Sequence, residues 1–145
     1  MPGRPDLAAM VIPLGRALVA AELPVLSRHG LSMWGYAVLL RLDERPLRGQ
    51  SALAEAVGAD KSRLIGVLDE LQDQGLIHRR PDPTDRRAHL LTITAAGRRL
   101  RDDVQAAIQQ QEEEQVLGRL PAADRQGFLN ALRLLSGERL TDRDG

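Results

Sequence analysis

The stretch that most limits what this chain can fold into is residues 76–94, LIHRRPDPTDRRAHLLTIT, in which two strand-like runs flank a Pro/Asp turn among Arg79, Arg80, Arg86 and Arg87. Ile77 starts the first run. In the second, Leu91 and Ile93 alternate with Leu90, Thr92 and Thr94, as a strand with one buried face requires. Asp82-Pro83 and Thr84-Asp85 supply the turn, because Pro fixes φ and Asp accepts bonds from nearby backbone N–H groups. The connection reads as too long for a two-residue hairpin turn, so a projecting loop with Arg86 and Arg87 at its tip is expected. Taken alone, the same residues also describe a solvated surface turn whose arginines serve only solubility.

The residues before the hairpin sharpen this reading. Residues 51–57 form a short helix with Leu53, Ala54 and Val57 inward, and Gly58 ends it. Asp60 can cap a second helix by accepting from the N–H of Ser62 or Arg63. Within that helix Leu64, Val67, Leu68 and Leu71 recur at helical spacing, and Gly75 closes it. Ala54, Gly58 and Leu64 have helix-turn-helix spacing: a small residue at the crossing, a glycine in the turn and an apolar residue filling the angle. A generic helical hairpin can show this pattern, but an arginine-bearing β-hairpin follows it less often.

The first turn of the second helix carries Lys61, Ser62 and Arg63, at the end whose free N–H groups and partial positive charge favour phosphate. Lys61 is the only lysine beside 19 arginines. By itself it reads as an ordinary polar helix start. Arg63 has the fork that fits guanine O6 and N7, worth roughly 1–3 kcal/mol of discrimination when seated. Gln50 and Ser51, at the start of the earlier helix, can bond phosphate.

The run from Gln50 through LAEAVGADKSRLIGVLDELQDQGLI to RRPDPTDRRAHLLTITAAG resembles the MarR family of bacterial winged helix-turn-helix transcriptional regulators. The parts that carry the resemblance come in order: the apolar helix ending at Leu71, Gly75-Leu76-Ile77, paired Arg79-Arg80, Asp85-Arg86-Arg87, and Thr94-Ala95-Ala96-Gly97 opening the next helix. The flanking helices fit too. The resemblance implies that Arg87 enters a minor groove and that Asp85 fixes the wing by pairing with a basic residue, Arg79 and Arg80 supporting it. Members often have Ser or Thr where this chain has Arg63 and Arg where it has Gly66, so relatives' operator sequences do not transfer.

Charge is segregated, although the 145 residues sum to a formal zero. Residues 76–101 carry seven arginines against Asp82 and Asp85, whereas residues 102–124 carry six acidic residues against Arg119. A local basic face is what phosphate attraction needs. Aromatics are 2% and hydrophobic residues 43%, so the core must be aliphatic, as in helical proteins. The absence of cysteine excludes disulfides, thiol redox sensing and thiolate metal sites. His29, His78 and His89 have no metal-ligand spacing, and no phosphate loop or activated serine is evident, so neither an enzyme nor a cofactor is expected. His78 and His89 lie on the two hairpin runs and could face each other. No apolar run is judged to approach the ~20 residues of a membrane span and no signal peptide is seen, giving a cytoplasmic expectation without a membrane partner.

Both ends read as an assembly module. Residues 7–26 are apolar, with Pro13 and Pro24 expected to bend or divide them, and Gly30 ends the segment. Residues 31–43 form another helix. Residues 95–117 form one long helix with Leu100, Val104 and Ile108 on one face, and Pro121 starts a last helix bearing Phe128, Leu129, Leu132 and Leu135. The expected fold is mainly α with a small β-hairpin. It is one MarR-like domain over 1–145, with a winged helix-turn-helix lobe at 31–97 and dimerisation helices at 1–30 and 98–145.

The expected function is a homodimeric, sequence-specific binder of double-stranded DNA, a repressor of pseudo-palindromic operators with half-sites about 10 bp apart or a multiple of that. Winged-helix protein interaction without DNA, and metal-responsive regulation, are the alternatives. The resemblance also implies a small aromatic or anionic effector near His29, Met33, Trp34 and Tyr36, with Arg16 as anion partner. From the residues alone, Trp34 and Tyr36 read as core or interface filling.

Overall fold

A computed structural model describes residues 3–42, 47–48 and 60–137, with the side chains of residues 47–48 and 86–88 left aside. The chain divides into two compact units, Met1–Ala107 and Ile108–Gly145. In the first unit the described elements are α1 (Leu7–Arg28), α2 (Met33–Arg41), β1 (Leu47–Arg48), α3 (Lys61–Asp73), β2 (Ile77–Asp82), β3 (Asp85–Ile93) and the start of α4 (Ala95–Gln115). The first helix of the expected helix-turn-helix, with Gln50, Ser51, Ala54 and Gly58, lies outside the described residues.

Helix α1 is continuous across Pro13 and Pro24, contrary to the expected division. Each proline removes one helical bond, but the carbonyls four residues back belong to Ala9 and Ala20, both on exposed stretches where water can replace it. The helix is also long and apolar enough to cross a membrane by length and composition, with a mean hydropathy of 1.7 over its most apolar 18 residues. That corrects the expectation that no run would be. Gly30, at φ 67°, follows α1 and its His29 cap.

The core sits where α2, α3 and the sheet meet. Val38, Leu39, Leu64, Leu68, Ile77 and Leu91 are almost fully buried. Each such side chain contributes about 2 kcal/mol of apolar burial. Ser32 caps α2, its Oγ accepting from the Gly35 N–H at 2.9 Å. Gly35 is buried, and a Cβ there would stand 3.4 Å from Leu71 Cδ2, so the first turn of α2 lies close against α3.

Among the described residues the sheet has three antiparallel strands in the order β1-β3-β2. Strand β1, two residues pairing Leu47 with Leu91 and Arg48 with Leu90, was not expected from the sequence. Ile77 pairs with Ile93 and Arg79 with Leu91. The turn differs from expectation: β2 and β3 are joined by Pro83 and Thr84 alone, with Asp82 opposite Asp85. Between the Pro81–His89 and Asp82–Asp85 pairs the register slips, so residues 86–88 are surplus on β3. The bulge accommodates the residues that made the connection look long. His78 stands opposite Thr92 and His89 opposite Pro81, so the two histidines are not partners.

Thr94 links the hairpin to α4. Its Oγ donates to the Gly75 carbonyl at 2.7 Å and accepts from the Gly97 N–H at 3.0 Å, while its own N–H bonds the Leu76 carbonyl. Gly97 is forced by proximity: a Cβ would lie 2.2 Å from the Leu76 oxygen.

In the second unit α4 continues, followed by a 3-10 turn (Leu117–Arg119), α5 (Ala122–Leu132) and a π turn (Arg133–Gly137). Leu132, Leu134 and Leu135 are exposed. Burial raises the Glu112 pKa above the ordinary carboxylate value, and the Glu113 charge adds to the shift.

Candidate nucleic-acid interface

The amino end of α3 is built by Asp60, whose extended backbone (φ −73°, ψ 160°) lets its Oδ1 accept from the Arg63 N–H at 2.7 Å. Burial of Leu64, Val67, Leu68 and Leu71 against the core turns the opposite face of the helix outward. Lys61, Ser62 and Arg63 stand exposed in its first turn. Ser62 and Gly66 lie on the outward face, and a Cβ at Gly66 would meet nothing within 4 Å. Ile65, also on this stretch, is 42% exposed.

Arg79 ties the hairpin to this helix. Its Nη2 lies 2.6 Å from Asp69 Oδ1, and its Nε donates to Gln72 Oε1 at 2.5 Å. Asp69 and Gln72 are three apart on one side of α3, and Arg79 is the third residue of β2. Strand β2 therefore leaves the carboxyl end of α3 and is held beside its last two turns at its third residue. Arg80, by contrast, is exposed.

Asp82 holds the hairpin turn. It is 5% exposed, and its Oδ1 accepts from both the Thr84 N–H (2.9 Å) and the Thr84 hydroxyl (2.7 Å). Asp85 opens β3 opposite Asp82, and the backbones of Arg86 and Arg87 follow within β3 on the bulged stretch. Sequence reasoning gave Asp82 a place in the turn but missed Asp69 and Gln72 as the partners of Arg79.

The residues grouped for an effector are spread over differing environments. Arg16 is exposed on α1. His29 caps α1, its Nδ1 lying 2.8 Å from the Val25 carbonyl, which fixes that nitrogen as the donor. Tyr36 belongs to the buried core, while Met33 and Trp34 are half-buried. Trp34 is brought to α3: the Arg63 guanidinium carbon lies 5.9 Å from its ring centroid. Among the described residues, no group of three or more His, Cys, Asp or Glu side chains could hold a metal ion.

The family model described as MarR matches residues 31–89. A putative transcriptional regulatory protein for the hcr operon of Thauera aromatica is 31% identical over 111 residues, covering 77% of this chain and 66% of its own length. Among solved structures, CouR from Rhodococcus jostii RHA1 bound to p-coumaroyl-CoA is 30% identical with a TM-score of 0.71, over 90% of this chain and 91% of that one. The Mycobacterium tuberculosis MarR family protein Rv2887 in complex with DNA is 25% identical with a TM-score of 0.78, over 92% and 99%.

Proposed function

This chain belongs to the MarR family of transcriptional regulators, and on that premise we propose that it is a homodimeric repressor that binds duplex DNA at pseudo-palindromic operators in the cytoplasm. Family members are transcriptional regulators, not enzymes. The observation that supports the proposal most is the pairing of Arg79 with Asp69 and Gln72, which ties the arginine-bearing hairpin to the carboxyl-terminal half of the same helix whose first turn presents Lys61, Ser62 and Arg63. A helix amino end in a major groove and a hairpin reaching the neighbouring minor groove form a two-point grip on one face of a duplex.

The roles divide by chemistry. Arg63 reads a guanine edge, Lys61 and Ser62 bond phosphate beside it, Gln50 and Ser51 bond phosphate from the preceding segment, and Arg86 and Arg87 enter the minor groove. Asp85 together with Arg79 and Arg80 supports the hairpin. The lobe is residues 31–97, and residues 1–30 and 98–145 make the dimer. Support for a second copy comes from α1, where Leu7, Val11, Ile12, Val19 and Leu23 are each at least half exposed. Two-fold symmetry then places half-sites about 10 bp apart or a multiple of it.

CouR, bound to p-coumaroyl-CoA, supports an aromatic or anionic effector here as well, taken up near Arg16, His29, Met33, Trp34 and Tyr36. Such a ligand releases DNA only by binding better to a lobe spacing that mismatches the operator.

The test is duplex binding against salt, using genomic fragments selected by the purified protein. Affinity should fall steeply and linearly on a log–log plot. Arg87→Ala should weaken operator binding while leaving the dimer intact, and Arg63→Ala should alter the selected motif more than nonspecific affinity. A salt-independent affinity, or an Arg87→Ala titration that overlays the wild type, would refute the assignment.

A further inference from the structure

Arg63 and Trp34 are each held from behind. The backbone of Arg63 is fixed by the Asp60 cap, and Trp34 sits in the first turn of α2, which is capped by Ser32 and pressed against Leu71 of α3 at Gly35. Between these fixed points the guanidinium carbon lies 5.9 Å from the ring centroid, within cation–π range. The guanidinium donates to no acceptor among the described residues, so contact with the ring leaves its N–H donors unspent. A free arginine side chain loses much rotamer freedom when it seats on a base, and an arginine already resting on a ring loses less.

We propose that Trp34 is a positioning residue for base reading: its ring holds Arg63 at the amino end of α3 before DNA arrives, so that the guanidinium meets a guanine edge with its donors free. This rests on the duplex-reading role argued above. It also changes the meaning of Trp34, which acts on the base-reading arginine whether or not a small molecule ever touches it.

The chain has a single tryptophan, so ring and arginine can be followed directly. In the free protein, Arg63→Ala should uncover the ring and raise the acrylamide quenching constant of Trp34 emission. On a selected operator, Trp34→Leu should lower affinity roughly three- to tenfold, with affinity for unrelated duplex held within about twofold, and Trp34→Phe should recover most of the loss. In an Arg63→Ala background Trp34→Leu should cost nothing further. Unchanged quenching, equal losses on operator and unrelated duplex, or losses that multiply independently in the double variant would each overturn the proposal. If Trp34→Leu does not fold, quenching and the double variant Trp34→Phe/Arg63→Ala decide it. A wild-type protein with no salt-sensitive duplex binding would remove the underlying reading instead, and the proposal with it.

Discussion

Helix α3 buries Leu64, Val67, Leu68 and Leu71, is capped by Asp60 and is tied to its neighbours by Arg79 and the close packing at Gly35, whereas α1 buries only Val25 and Leu26 of its 22 residues. Both helices are rich in aliphatic side chains. The first spends them within one chain and turns a polar face outward; the second leaves Leu7, Val11, Ile12, Val19 and Leu23 in contact with solvent. Five aliphatic side chains at least half exposed along one helix cost free energy in water, and the proposed dimer would cover them. The lesson is a division of labour: the α3–hairpin region folds to present a surface, and α1 is a surface waiting to be covered.

The comparison breaks most visibly if α1 is made polar. Val11→Glu together with Val19→Glu should raise the dissociation constant of the proposed dimer a hundredfold or more, about 3 kcal/mol, because each chain would bring two desolvated carboxylates into the interface. Sedimentation velocity would read the shift to monomer, while circular dichroism should show the helical content retained. Vesicle flotation of the wild type checks the rival covering, a lipid surface, and should find the protein unbound.

Within the α3 region two glycines sharpen the contrast between packed and open positions. Gly97→Ala forces a Cβ to 2.2 Å from the Leu76 oxygen and should cost about 3 kcal/mol in urea unfolding. Gly66→Ala meets nothing and should instead stabilise α3 by about 0.5–1 kcal/mol. Equal effects from the two would mean that the junction of β2 and α4 is not packed as described.

Smaller again is the Arg79 link. Asp69→Asn and Arg79→Gln should each cost about 0.5–1 kcal/mol, discounted for the 54% exposed Asp69 side chain, and the double variant should show the losses are shared. Their operator affinity should fall by more than their stability does, since the hairpin would lose its alignment with α3.

The smallest effect is in the second unit. Because the Glu112 pKa is raised by burial and then by Glu113, the charge it carries at neutral pH works against folding. The favourable contribution is present below the unfolded-state value and is lost as pH rises through the raised one. Glu112→Gln should therefore melt slightly higher than the wild type at neutral pH, with the gap closing as pH falls into the carboxylate range. A gap that widens on acidification contradicts the sign.

The features legible in the sequence were those that depend on near neighbours. The Asp60 cap, the α3 apolar stripe and the glycine at 75 with φ 74° each follow from a few adjacent residues. The hairpin was legible, but its turn was not. The connection looked too long for a two-residue turn, yet Pro81 lies in the edge strand β2, where a missing N–H is tolerated, and a bulge takes up three residues of β3. Strand β1 is two residues long and leaves no periodicity to read. Of the two effects expected of Pro13 and Pro24, bending or division, continuity of α1 rules out the division, and exposure shows why: water can serve the freed carbonyls. Arg79 with Asp69, and Trp34 with Arg63, join residues from separate elements, which spacing alone does not reveal.

Sedimentation equilibrium of the protein, free and on a selected duplex, tests the division of labour most directly. The free protein should have twice the mass of one chain, and two chains should occupy each duplex through a salt-sensitive contact. A single chain in solution, with the α1 side chains still open to solvent, would contradict the account.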